Sequence, residues 1–169
     1  MAPFDIGVQI IPVMHEMNSQ YWFKSDLFEV DPKEDEETNP FCYGKELAKW
    51  LREKFSTADN ELEKIIPEDW GWCVMLQRKP YMLWLGCGNV GKGELYDTIK
   101  PEVKDQFAPK GEDLIWTCFV GTDFPFWSGY FWKRIFGNKS LEEKDIEGVS
   151  KQLENILKND SHITLVEEP

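Results

Sequence analysis

Hydrophobic and polar positions follow a helical period in two parts of the chain. In residues 40–56, apolar side chains recur every three or four positions, which predicts an amphipathic helix with Asn39 as its N-cap. A second helix is predicted over residues 140–158, where Ser140 and Glu143 have the spacing of a capping box. Each helix should bury one apolar stripe against another layer of the fold.

Other parts of the chain carry continuous apolar runs of the length of buried strands. We predict strands at residues 4–13, 70–78, 81–87, 114–120 and 162–166. The second and third runs are separated only by Lys79 and Pro80 and should form a hairpin. Three further segments are predicted as a solvated acidic loop at 29–37, a glycine-rich loop at 86–93 and a short helix at 127–136.

The order of these elements is β, α, β, β, β, α, α, β, which indicates one α+β domain over residues 1–169. We expect a mostly antiparallel sheet with the helices packed on one face. The predicted core, held together by hydrophobic burial, consists of Leu47, Trp50, Leu51, Phe55, Val74, Leu76, Leu83, Leu85, Ile115, Cys118, Val149, Leu153 and Ile156.

Composition and charge narrow the classes of function. The formal net charge is -12, which argues against nucleic-acid binding because phosphates attract lysine and arginine. No apolar stretch approaches the roughly 18 residues of a membrane span, and residues 1–13 lack the basic start of a signal peptide. We therefore expect a cytoplasmic protein without membrane contact, whose four cysteines are thiols.

The most distinctive local sequence is E-D-W-G-W at residues 68–72. In a strand, Trp70 and Trp72 would lie on the same side of the sheet. Gly71 between them would leave the opposite side open to a close neighbour. Alternatively, the two tryptophans belong to the core, and Asp69 binds backbone amides where the strand begins.

We predict a ligand-binding site composed of Glu68, Asp69, Trp70, Trp72 and His15. Two aromatic side chains beside two carboxylates would suit a small cationic or aromatic molecule. The site contains no coherent set of catalytic residues, and we predict no cofactor.

Three other patterns indicate candidate chemistry. Residues 86–91 match G-x-G-x-x-G, and residues 86–92 match the phosphate-binding pattern G-x-x-x-x-G-K-[ST] up to its last position. Gly93 stands where that second pattern has its hydroxyl residue, which favours a loop connecting sheet elements over a nucleotide-binding loop.

The chain has two histidines, His15 and His162, which are too few to predict a metal site from the sequence; a site that the fold assembles from both and a carboxylate is the alternative. Cys42 lies beside a predicted helix N-terminus, which can activate a thiol, although a packed cysteine is the simpler interpretation.

Two blocks together resemble a known family. Residues 43–51 read Y-G-K-E-L-A-K-W-L, and residues 68–72 read E-D-W-G-W. The pair is similar to a family of small uncharacterised bacterial proteins, some of them carried on mobile elements such as integron gene cassettes. The resemblance covers residues 40–90 and implies a bacterial, cytoplasmic α+β protein. It brings no activity, cofactor or catalytic residue.

The sequence thus favours a non-catalytic binding or interaction protein. An acidic surface would attract a basic protein partner and speed the encounter. The many aromatic residues, among them eight tryptophans, also suit an interface, including self-association as a homodimer. An accessory or toxin-neutralising role fits the resemblance to mobile-element proteins. The alternative function is a small-molecule-binding protein or enzyme with a pocket near Trp70 and Trp72.

Overall fold

The structure is a computed structural model that describes residues 20–58, 61–91, 108–123 and 140–169. The predicted strand at 4–13, the predicted helix at 127–136 and the candidate site residue His15 lie outside these ranges.

Six strands form one sheet in which every pair of neighbours is antiparallel. The strands are β1 (Gln20–Ser25), β2 (Ile66–Glu68), β3 (Gly71–Gln77), β4 (Met82–Asn89), β5 (Trp116–Asp123) and β6 (Ile163–Val166). Their spatial order is β2-β3-β4-β5-β1-β6, so the two shortest strands form the edges. The predicted α+β class with an antiparallel sheet is confirmed.

Two helices, α1 (Lys45–Phe55) and α2 (Ser140–Asn159), pack on one face of this sheet. Helix α1 contributes Leu47 and Leu51, and α2 contributes Leu153 and Leu157, all of them fully buried. These side chains join the inward residues of the strands in a single core. We call this side of the sheet the helix face and the opposite side the second face.

Most of the predicted core residues are buried or packed against the core, but Ile115 is not among them. In a strand, inward side chains alternate, and the buried residues here are Leu114, Trp116 and Cys118. Ile115 therefore occupies an outward position of this alternation. The core also contains large aromatic residues that are not among the predicted core residues: Tyr21, Phe23, Phe28, Tyr43, Trp72 and Trp116.

Strand β1 is absent from the predicted elements, although it lies between β5 and β6. Its side chains do alternate, since Tyr21 and Phe23 are buried while Lys24 is exposed. Trp22, which lies on the second face, interrupts this pattern with a large aromatic residue at an outward position.

Helix α1 begins later than its sequence pattern predicts. Phe41 has a φ of 63°, in the left-handed region, so the chain cannot be helical from Pro40. The helix instead begins at Lys45, directly after Gly44. A Cβ on Gly44 would lie 2.7 Å from the carbonyl oxygen of Cys87, so glycine lets the start of α1 approach strand β4.

The β3–β4 hairpin is confirmed, but β4 is longer than predicted. It runs to Asn89, so Gly86 and Gly88 are strand residues and do not belong to a loop. A phosphate-binding loop would need these glycines at the turn between a strand and a helix. Gly86 and Gly88, the first two glycines of the G-x-G-x-x-G match, therefore lie inside a strand and not at such a turn.

Candidate functional site

The two tryptophans of the E-D-W-G-W sequence lie on opposite faces of the sheet, so the prediction that they share a side is wrong. Trp70 lies in the turn between β2 and β3, and β3 begins only at Gly71. Gly71 has a φ of 144°, a conformation that favours glycine, and this breaks the strand alternation before Trp72. A Cβ on Gly71 would lie 2.4 Å from the carbonyl oxygen of Cys87, which confirms the close neighbour expected there.

Trp72 lies on the helix face and is sealed in the core, with 1% of its surface exposed. Its indole Nε1 donates a hydrogen bond of 2.7 Å to Oε1 of Glu34. The Lys45 ammonium lies 4.7 Å from the centre of one Trp72 ring and also pairs with Glu37. Trp72 is therefore a structural residue that joins strand β3 to the start of α1.

Glu34 is the acceptor at the centre of this arrangement. It lies in the acidic run that was predicted to be a solvated loop, yet it is only 2% exposed. Its Oε1 also accepts hydrogen bonds from the backbone N–H groups of Gly44, at 2.5 Å, and Lys45, at 2.6 Å. Glu34 thus caps helix α1 from a distant part of the chain, in the role that a side chain at the N-cap usually has.

Burial raises the pKa of the Glu34 carboxyl above its usual value, because the charged form loses its contact with water. The three N–H donors and the Lys45 cation oppose that effect without cancelling it.

Trp70, by contrast, lies on the second face and is 41% exposed. It forms an aromatic cluster with Trp84 of β4 and Phe119 of β5, which we call the Trp70 cluster. The Trp70 and Trp84 rings stack with their centres 5.6 Å apart and their planes 27° apart. Phe119 contacts both, at centre distances of 5.4 Å to Trp70 and 5.6 Å to Trp84.

Glycines on the second face let these rings lie against the backbone of the sheet. A Cβ on Gly86 would lie 2.4 Å from the Phe119 ring, and a Cβ on Gly121 would lie 2.4 Å from the Trp84 ring. Gly86 pairs with Phe119, and Trp84 pairs with Gly121, across strands β4 and β5. The Trp84 and Phe119 rings therefore pack directly against the sheet, and Trp70 packs against both rings.

Carboxylates lie around the Trp70 cluster. Glu68 and Asp69 immediately precede Trp70, and both are exposed. Asp123, also exposed, accepts a hydrogen bond of 3.0 Å from Nε1 of Trp84 through its Oδ2. The cluster thus has an apolar centre with acidic neighbours at both ends.

The thiol of Cys73 lies close enough to Glu68 and Asp123 for their charges to act on it. Burial is the main reason that its pKa is raised to about 12; the two carboxylates add to the shift, and the Arg78 cation opposes it. In the β2–β3 ladder Ile66 pairs with Cys73, so Glu68, two positions after Ile66 in the same strand, lies on the second face as well.

The residues predicted to form one ligand site are therefore separated. Glu68 and Trp70 lie on the second face, with the exposed turn residue Asp69 between them in the chain, whereas Trp72 belongs to the helix face. The sequence reasoning missed Trp84, Phe119 and Asp123 as their neighbours. A signal for the two rings existed, since Trp84 and Phe119 each stand two positions before a glycine, which puts ring and glycine on one face of a strand.

The histidines, the candidate metal ligands and the cysteines were the other candidates for chemistry. Nδ1 of His162 lies 2.9 Å from Oδ1 of Asp26, and both side chains are mostly exposed. No group of three or more metal-ligating side chains lies together within the described ranges. Cys73, Cys87 and Cys118 are buried, and Cys42 is half-buried; none of the four forms a disulfide.

Within the residues that the structure covers, no helix is long and apolar enough to cross a membrane. Comparison with protein-family models, with curated proteins and with solved structures finds no match to this chain.

Proposed function

We propose that this chain is a non-catalytic interaction protein that binds a basic protein partner through the Trp70 cluster and its flanking carboxylates. The observation that carries the proposal is the position of Trp70, a large aromatic side chain 41% exposed and stacked on two further rings. Exposed tryptophans supported in this way are typical of residues that dominate binding energy at interfaces.

Charge supports a basic partner. The formal net charge is -12, and Glu68, Asp69 and Asp123 add local negative charge beside the aromatic surface. Complementary charge raises the rate of association and selects between partners, and salt weakens both effects. An accessory or toxin-neutralising role for a mobile element belongs to the same proposal, because it needs a protein partner and no reaction.

The alternative, a small-molecule-binding protein or enzyme with a pocket near Trp70 and Trp72, stays a prediction, although one pocket cannot use both side chains as walls because they lie on opposite faces of the sheet. Self-association as a homodimer stays a prediction, and sedimentation of the purified chain over a range of concentrations measures it.

A fluorescently labelled basic peptide with both lysine and arginine tests the proposed function. We expect it to bind, and we expect its affinity to fall steeply as sodium chloride is added. Replacing Trp70 by alanine should weaken binding, whereas Leu165→Ala, which removes an exposed apolar side chain from strand β6, should not. Binding that is insensitive to salt, or equal in the two variants, contradicts the proposal.

A further inference from the structure

Within the described ranges, two rings contact the Trp70 indole, and much of its surface stays exposed. Trp84 stacks on it at an interplanar angle of 27°, and Phe119 contacts it at 49°. With 41% of Trp70 exposed, the remaining surface is open to solvent. Since Trp84 and Phe119 are packed over Gly121 and Gly86, the indole is held in place before any partner arrives.

A flat aromatic surface beside carboxylates matches one side chain better than others. The guanidinium of arginine is planar, so it stacks on an indole and still donates hydrogen bonds at its edge to a carboxylate. The ammonium of lysine is a compact and strongly hydrated charge, which gains less from a stacked position. Glu68 and Asp69 are exposed and precede Trp70 directly, so they supply acceptors at this position.

We propose that Trp70, Glu68 and Asp69 receive an arginine side chain of the basic partner, with its guanidinium stacked on the open face of the indole. This inference rests on the proposed function and adds to it the residue type that the surface selects. A lysine, or an apolar side chain that uses only the ring, is the competing occupant.

Three labelled peptides separate these occupants. Each has the same glycine-serine background, and they carry paired arginines, paired lysines or paired citrullines, the last being planar but uncharged. We expect the arginine peptide to bind about two- to fivefold more tightly than the lysine peptide, which is the scale of a cation–π contact at an exposed site. The citrulline peptide should bind weakest.

Variants of the chain test whether the preference for arginine depends on Trp70, Glu68 and Asp69. Trp70→Ala should reduce the affinity for arginine to that for lysine, and the double variant E68Q/D69N should weaken both cationic peptides. The control E53Q/E167Q removes the same charge from exposed positions away from the Trp70 cluster and should have a smaller effect. Circular dichroism verifies that each variant is folded.

The outcomes distinguish the two proposals. Equal affinity for arginine and lysine, or an arginine preference that survives Trp70→Ala, overturns the arginine inference and leaves the proposed function standing. Cationic peptides that bind no better than the citrulline peptide overturn both. Equal effects of E68Q/D69N and E53Q/E167Q also overturn the inference, because the attraction would then be one of net charge alone.

Discussion

Replacing Glu34 by alanine removes the single oxygen that accepts three hydrogen bonds at the start of helix α1. The donors left behind are the backbone N–H groups of Gly44 and Lys45 and the indole Nε1 of Trp72. The bonds from Gly44 and Trp72 are buried, so water cannot replace the lost acceptor without entering the core. The variant therefore tests whether a carboxylate from the acidic run holds the helix to the sheet.

The expected loss follows from those donors. A buried donor left without an acceptor costs about 1–3 kcal/mol, and two of the three are in that position. Together they give a destabilisation of roughly 2–6 kcal/mol, which includes the roughly 3–5 kcal/mol found when one partner of a buried ion pair is removed. With a urea m-value of about 2 kcal/mol/M, the unfolding midpoint should fall by about 2 M.

Urea unfolding followed by far-ultraviolet circular dichroism measures this difference. Glu36→Ala is the matched control, because it removes an exposed carboxylate from the same run and should change the free energy of unfolding by no more than about 0.5 kcal/mol. Glu34→Gln keeps one oxygen acceptor and should fall between the two. If Glu34→Ala is as stable as Glu36→Ala to within about 1 kcal/mol, the structural role assigned to Glu34 is refuted.

Three further predictions concern pH, glycine and thiol chemistry. Because burial raises the pKa of Glu34, folding favours its protonated form. The contribution of this pKa difference to the free energy of unfolding should be complete below the unfolded-state pKa of about 4.3 and lost as pH rises through the folded-state value, whereas the hydrogen bonds that Glu34 accepts persist. The stability difference between the native chain and Glu34→Gln, measured in urea at several pH values, should therefore decrease across that range; a constant difference would refute the assignment. Gly71→Ala should destabilise by about 3 kcal/mol or more, because its backbone strain and a clash with the Cys87 carbonyl add together. The control Gly148→Ala, with open space around it in helix α2, should raise the free energy of unfolding by about 0.5–1 kcal/mol. Equal thermal midpoints for Gly71→Ala and Gly148→Ala would contradict both predictions. In the native state, Ellman's reagent should label Cys42 first and the three buried cysteines only after unfolding; rapid labelling of all four would be inconsistent with the core.

Elements with clean periodicity could be predicted from the sequence. Helix α2 and the β3–β4 hairpin are found close to their predicted bounds, because their apolar positions alone decide which side is buried. The close neighbour expected at Gly71 is also found, since a glycine inside a strand is costly unless a neighbour needs the space.

Features that depend on distant partners could not be predicted. The start of α1 is set by Glu34, ten positions before Gly44, and nothing in the local sequence marks that carboxylate among its acidic neighbours. Strand β1 was missed because Trp22 hides its alternation. Regular alternation along a strand would put Trp70 and Trp72 on the same side, but the positive φ of Gly71 interrupts that alternation and Trp70 lies on the opposite side.

The same limit applies to the candidate site. Glu68, Asp69 and Trp70 are neighbours in the sequence, and the structure places Glu68 and Trp70 on the second face with Asp69 exposed in the turn between them. Trp84 and Phe119 join them only through the pairing of β3, β4 and β5. Their shared position depends on the register of strands that are far apart in the chain.

The central claim is that the Trp70 cluster is the binding surface. The most direct test is the set of tryptophan indole N–H signals in a ¹H–¹⁵N spectrum, recorded while the arginine peptide is added and assigned with single tryptophan-to-phenylalanine variants. The account predicts that the signals of Trp70 and Trp84 move in a saturable manner while that of Trp72, buried against Glu34, stays in place. Saturable shifts that leave Trp70 and Trp84 unmoved would contradict it.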